Sequence, residues 1–211
     1  MPGRYIAFEG IEGCGKSTHV QRLATHLGAV VTREPGGTDI GTKLREILAN
    51  VANTHLSPRA EALLMAADRA QHLHELVIPA LESGKHVISD RSLYSSLAYQ
   101  GYGRQLPLDE LRQFNNFAIG ARLPDLVVYI RVELSAARQR LQKRDTDRFE
   151  REDDAFFTRV AHGFDQLAAG CRRERQRALA KLQGMDGCCQ SQARHHFLRH
   201  LWSCQRAAHR C

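Results

Sequence analysis

The run Gly10-Ile11-Glu12-Gly13-Cys14-Gly15-Lys16-Ser17 meets every fixed position of the pattern G-x-x-x-x-G-K-[ST]. These residue types at this spacing bind phosphate. Glycines remove side chains where backbone wraps an anion, the lysine reaches β and γ oxygens, and the serine hydroxyl can ligate Mg²⁺. Such a loop works only between a strand and a helix, with N–H groups and the positive end of the helix dipole facing the anion. Both neighbours are present. Tyr5-Ile6-Ala7-Phe8 is apolar and β-prone, and Val20, Leu23, Ala24 and Leu27 mark one face of a helix beginning at Lys16. A nucleoside-triphosphate site is expected here.

Three further segments fit phosphate chemistry. Asp90-Arg91 closes an apolar run, where the carboxylate can hold a metal-bound water or orient an acceptor and the arginine can clamp a phosphate with two hydrogen bonds. Arg33-Glu34-Pro35-Gly36-Gly37-Thr38 is a rigid turn, with Thr38 or Asp39 able to cap the next helix. Residues 143–152, with Arg144 and Arg148, are too charged to pack. They read as a solvated face or as a mobile lid whose arginines stabilise a moving phosphoryl group and exclude water.

The elements that must position these residues alternate. Strands are expected near 4–9, 29–33, 86–90 and 125–131, and helices over 16–27, 39–50, 58–82, 92–101, 108–121, 135–143 and 153–169. Ser57 caps and Pro58 opens the longest helix, and Gly84 offers a left-handed exit after it. The pattern predicts an α/β fold, a phosphate-loop type parallel sheet with helices on both faces. Ligands of such sheets bind beyond the carboxyl ends of the strands. There the loop, Glu34 and Asp90-Arg91 should converge.

Length and charge set the outer bounds. The chain has 211 residues and a formal net charge of +7. That length suits one domain, or one domain with a lid. No apolar run is long enough to span a membrane and no leader segment is evident, so a soluble cytoplasmic protein is expected. The excess charge lies wholly in residues 171–211, where nine Lys and Arg face only Glu174 and Asp186. Five of the six cysteines lie there too.

The residues Phe8-Glu9-Gly10 through Ser17-Thr18, Thr32-Arg33-Glu34-Pro35-Gly36-Gly37-Thr38, Leu63-Leu64-Met65-Ala66-Ala67-Asp68-Arg69-Ala70-Gln71-His72, and Ser89-Asp90-Arg91 followed by Ser95-Ser96-Leu97-Ala98-Tyr99-Gln100-Gly101 resemble bacterial thymidylate kinases in order and spacing. With Asp147-Arg148 and the helix after it, the likeness covers about residues 4–169. It implies a nucleoside monophosphate kinase with a lid that transfers the γ-phosphoryl of ATP to dTMP with Mg²⁺, typically as a homodimer packed through helices. It places Gly10, Ile11, Glu12, Gly13, Cys14, Gly15, Lys16, Ser17 and Arg144 around ATP, and Ser17 with Asp90 at the metal. On the acceptor side it places Glu9, Glu34, Arg69, Arg91, Ser96, Tyr99 and Gln100. Glu12 would approach the dTMP sugar, Arg69 and Ser96 would read the thymine edge, and Tyr99 would crowd the sugar 2′ position. Arg148, with Arg144, resembles the lid arginines of the bacterial subtype. Lys16, Asp90, Arg91, Arg148 and Glu12 form the implied catalytic set.

Two local departures stand out: Ser92 replaces a usual aromatic residue and is expected to loosen packing, and Arg131 stands where an aspartate often ends the strand. The likeness stops at about Gly170. The family continues with a last strand, a loop against adenine and a closing helix, whereas residues 171–211 turn rich in Arg, Cys, His and Gln, with a helix possible from Glu174 to Leu182. A metal site from Cys188, Cys189, His195, His196, His200, Cys204, His209 and Cys211 lacks finger spacing. A basic nucleic-acid arm lacks interleaved aromatics beyond Phe197 and Trp202. A reading-frame shift near codon 170 would give this composition and leave the sheet with an open edge. Three function readings therefore stand: a thymidylate kinase, another monophosphate kinase, or a nucleotide-binding protein with a nucleic-acid-binding tail.

Overall fold

The computed structural model describes residues 3–120, 122–141 and 147–183. The backbone divides into two compact units, Met1–Phe164 and Asp165–Cys211. Of the second, only the continuation of one helix is described.

Strand β1 (Tyr5–Glu9) is buried at all five positions. It lies between β3 (Val87–Asp90) and β4 (Leu126–Tyr129), with β2 (Val30–Arg33) outside β3, in a parallel sheet of order β2-β3-β1-β4. Register decides what meets at its carboxyl end. Phe8 and Arg33 both pair with Asp90, so β1, β2 and β3 finish in one row. The three expected segments leave the sheet side by side for that reason. The outer side of β4 pairs with no strand among the described residues, and Leu126 there is 42% exposed.

Helix α1 (Lys16–Leu27) packs Val20 and Ala24 on Ile6, Phe8 and Ile88, and Gly28 closes it in the left-handed conformation. In α2 (Asp39–Ala49) the Thr38 hydroxyl accepts the Gly41 N–H at 3.0 Å. Ser57 caps α3 (Pro58–His72) as predicted. The helix expected over 58–82 is not uniform, because a π-turn at Leu73–Val77 precedes α4 (Ile78–Glu82). Pro79 supplies the reason. It has no N–H, and in an unbroken α-helix its ring would strike the Glu75 carbonyl; a wider turn, with Ile78 N–H on Leu73 O, relieves that.

A second π segment interrupts the helix expected over 92–101. Helix α5 (Leu93–Ser96) runs into a π-turn over Leu97–Gly103 that buries Leu97, Ala98, Tyr99, Gln100, Gly101 and Gly103. Helices α6 (Leu108–Ile119), α7 (Leu134–Leu141) and α8 (Asp154–Gln183) follow. The last runs past the expected limit of 169. The remainder of the Cys/His/Arg-rich stretch, its proposed metal site and the possible frame shift lie outside the described residues.

Candidate active site

The phosphate loop bends through three glycines of positive φ, Gly10 at 147°, Gly13 at 78° and Gly15 at 93°. A Cβ at Gly10 or Gly13 would come within 2.6 Å of a backbone oxygen, of Ile130 and Ala137 respectively. No side chain caps the start of α1, so its first N–H groups face the loop. Lys16 is buried and donates to Ile11 O at 3.0 Å. Burial lowers its pKa first, and the Arg91 charge lowers it further, which puts the two cations in each other's field. Arg140 of α7 also reaches the loop, donating to Gly13 O at 3.0 Å.

The Ser17 hydroxyl donates to Asp90 Oδ2 at 2.7 Å, uniting the two expected metal ligands. A hydroxyl and a carboxylate at the mouth of a phosphate loop suit Mg²⁺, which takes few protein oxygens and completes its shell with phosphate and water. No cluster of three or more His, Cys, Asp or Glu that could hold a metal occurs among the described residues.

Arg91 follows with φ 79°, a strained backbone for a residue other than glycine, held by its N–H on Phe8 O at 2.9 Å. Its guanidinium bonds Gly10 O at 3.1 Å, Ser95 Oγ at 3.0 Å, Tyr99 OH at 3.2 Å and the Glu12 carboxylate. It also lies 4.9 Å from the Tyr99 ring centroid. Glu9 is buried and accepts from Ser92 N, Ser92 Oγ and Ser95 Oγ at 2.6–2.8 Å. Burial raises its pKa, against the pull of the two serine hydroxyls. Ser92 does not loosen this corner, as its small size suggested. It is buried, and its hydroxyl adds to the backbone N–H a second bond to Glu9 that a phenyl ring there could not make.

Behind Arg91 lies a buried polar frame. Arg69 donates from Nε to Glu34 at 2.7 Å, from Nη2 to Ser92 O at 3.2 Å and Ser96 Oγ at 3.1 Å, and from Nη1 to Asn115. His72 bridges Glu34 at 2.9 Å and Thr32 at 2.7 Å. Burial works against the Glu34 charge, but Arg69 and His72 outweigh it and hold its pKa below the usual range. The peptide bond between Glu34 and Pro35 is cis.

One cleft gathers Glu12, Glu34, Arg69, Arg91, Ser96, Tyr99 and Gln100. The expected acceptor residues thus share a single space, apart from Glu9, which sits behind Ser92. Ile11 and Cys14 are buried within the loop. Arg148 is placed differently. Asp147, Phe149 and Glu150 line the cleft, while Arg148 turns to Glu61 at 2.7 Å and Leu48 O at 2.8 Å. Arg144 lies outside the described residues.

Sequence reasoning missed Arg45. It lines the cleft and donates to Pro35 O at 3.0 Å, with no carboxylate ion pair among the described residues. Burial lowers its pKa first and the neighbouring Arg33 lowers it further, so an anion in the cleft would relieve it. An arginine on an amphipathic helix gives no signal by spacing.

Asp68 supplies a test of pH dependence. It is 1% exposed; Oδ1 accepts Gly36 N–H at 2.9 Å, and Oδ2 has no partner. Burial and then the Glu34 charge push its pKa to about 6, against the Gly36 hydrogen bond. An acid whose pKa is raised on folding binds protons more tightly when folded, so stability falls as pH climbs from about 4 to about 6 and stays reduced above. Asp68→Asn should therefore stabilise the fold at pH 7.5 by up to about 3 kcal/mol, a gain that fades on acidification. Urea titrations at pH 7.5 and 5 read it, and equal stability of variant and parent at pH 7.5 would contradict it.

Comparison with known proteins agrees with this geometry. The thymidylate kinase family model matches residues 8–181. A thymidylate kinase of Prochlorococcus marinus (strain MIT 9313) is 42% identical over 93% of this chain and 96% of its own. An alignment of that extent takes in part of residues 171–211. A thymidylate kinase of Nitratidesulfovibrio vulgaris (strain DP4) is 47% identical over 78% and 80% of the two chains. Among solved structures, the thymidylate kinase of Ehrlichia chaffeensis superposes with a TM-score of 0.67 at 32% identity, covering 80% of this chain and 88% of that one.

Proposed function

Because the chain belongs to the thymidylate kinase family, we propose a role for each part of its cleft. The protein transfers the γ-phosphoryl group of ATP to dTMP, giving dTDP. The observation that carries this reading is the alignment of three strand ends, with Lys16 on Ile11 O and Arg91 on Gly10 O, neighbouring carbonyls of one phosphate loop.

Phosphoryl transfer needs two anions held in line and their charge offset. Loop N–H groups and Lys16 hold the ATP phosphates, with Arg140 as a cation on the α7 side; Arg144 is assigned to ATP by the family likeness alone. Ser17 and Asp90 would hold Mg²⁺, which supplies charge neutralisation on the phosphate oxygens. Arg91 and Arg45 grip the dTMP phosphate, and Glu12 moves from Arg91 towards the sugar. Arg69 has one Nη1 N–H left after its four internal bonds, enough for one thymine carbonyl. Ser96 and Gln100 complete the base edge, and Tyr99 occupies the space a 2′-hydroxyl would need. Glu9 and Glu34 fix Ser92, Ser95 and Arg69 rather than touching phosphate. Arg148 acts as a lid cation only if it leaves Glu61.

A cytoplasmic enzyme fits a chain in which no described helix is long and apolar enough to cross a membrane. We also assign a homodimer face to α3 and α6, where Leu63 is 56% and Phe117 91% exposed. Sedimentation equilibrium should return the dimer mass, and a monomer mass at micromolar concentration would exclude that face.

An activity panel tests the function. ADP release with ATP and dTMP should exceed that with dUMP, AMP, GMP or CMP by at least tenfold in kcat/KM. Equal turnover of AMP or GMP would instead favour another monophosphate kinase. Absence of all turnover, with ATP still bound, would favour a nucleotide-binding role.

A further inference from the structure

The strongest polar cluster outside the phosphate sites is centred on Glu61, in the first turn of α3. Its side chain is fully buried, and its two oxygens accept from Gln100 Nε2 at 2.8 Å, Arg104 at 3.1 and 3.3 Å, and Arg148 Nη2 at 2.7 Å. We propose that Glu61 is a positioning residue for the acceptor nucleotide, fixing which face of the Gln100 amide meets the base and tethering residues 147–152 over the cleft. This rests on the kinase reading above and deepens it.

Two observations carry the assignment. The first concerns Gln100. Both Glu61 oxygens already accept from guanidinium N–H groups, so the Gln100 NH₂ and not its carbonyl must face Glu61. Gln100 lines the cleft, and its carbonyl oxygen is the atom left to accept from a ligand. A thymine ring offers an N–H donor between its two carbonyls; a cytosine ring offers an acceptor at the same position. The amide sense set by Glu61 therefore favours thymine over cytosine.

The second concerns the segment after α7. Arg148 bonds Glu61 through its side chain and Ala49 O through its N–H at 3.0 Å, while Arg104 joins Glu61 to Glu152 at 2.6 Å. The tether leaves Asp147 and Phe149 on the cleft wall, with the Phe149 ring edge-on to Tyr99 at 6.3 Å.

Steady-state kinetics of the full chain with dTMP and dCMP provide the test. Glu61→Gln lets the Gln100 amide turn over and weakens the hold on both arginines, because one neutral amide oxygen replaces two carboxylate oxygens. The variant should raise the dTMP KM about tenfold, lower the dTMP-to-dCMP ratio of kcat/KM at least tenfold, and leave the ATP KM within twofold. Arg148→Met should raise the dTMP KM without altering the base ratio, because Gln100 stays held. Should the glutamine variant not fold, Glu61→Asp keeps the charge and must raise the dTMP KM while retaining the base preference. Unchanged dTMP KM and base ratio in folded Glu61→Gln, or a rise in its ATP KM equal to that in its dTMP KM, would overturn the proposal. A parent chain that turns over no dTMP would instead remove the kinase reading. Calorimetric binding of dTMP to the parent and Glu61→Gln then reads the Glu61 effect alone.

Discussion

Lys16→Met should lower kcat by about 10²–10³ while the protein stays folded. The side chain is buried against its own loop, with one hydrogen bond to Ile11 O at 3.0 Å, so the methionine stem fills the same space. What it loses is a fixed positive charge where charge builds on the transferred group. Such a charge acts in a site shielded from water, where it needs no reorganisation as the reaction proceeds. Binding of dTMP should change little, because Arg91 and Arg45 remain. A kcat within threefold of the parent, with circular dichroism unchanged, would remove Lys16 from the chemistry.

Arg69→Met should cost about 3–5 kcal/mol of folding stability, the largest loss expected from any single change in the cleft. Arg69 and Glu34 are both almost fully buried, and the pair is joined at 2.7 Å. Removing the guanidinium leaves a buried carboxylate supported, among the described residues, only by His72, and it also strips partners from Asn115, Ser92 and Ser96. Domains hold roughly 5–15 kcal/mol in total, so the variant should sit near unfolding at 37 °C. Adding Glu34→Gln should restore part of the loss, because the penalty belongs chiefly to the orphaned charge. In the parent, the depressed Glu34 pKa stabilises the fold above the ordinary glutamate pKa, and that contribution disappears as pH falls through the lowered value. A loss below about 1 kcal/mol in urea titrations would mean the frame is not held by this pair.

Much of this was legible in residue order, and the limits have physical causes. The phosphate loop declared its strand and helix because glycine at positive φ and a lysine at the helix start have few alternative uses. The convergence at Asp90 followed from parallel strands ending together. The π-turns were hidden, since reading a 3.6-residue period cannot register one inserted residue, although Pro79 marked where the first must fall. Ser96, Tyr99 and Gln100 face one cleft, as their i, i+3 and i+4 spacing along a helix already indicated. Arg45 and Glu61 were invisible for a different reason. Each sits on an ordinary helix, and only packing shows that one pairs with no carboxylate among the described residues while the other has three donor side chains. Arg148 reads from sequence as a lid cation, yet it is tied down by Glu61. Ser92 looked like a loss of packing and proves to be the clamp on Glu9.

The central claim is that Lys16 and Arg91 face one gap that holds donor and acceptor phosphates together. Calorimetry with adenosine and thymidine joined through five phosphates reads that gap directly. The joined ligand should bind at least a hundredfold more tightly than ATP or dTMP alone, and Lys16→Met and Arg91→Met should each lower that affinity tenfold or more. Binding no tighter than ATP, or indifferent to Arg91→Met, would mean the two phosphate sites do not share a cleft.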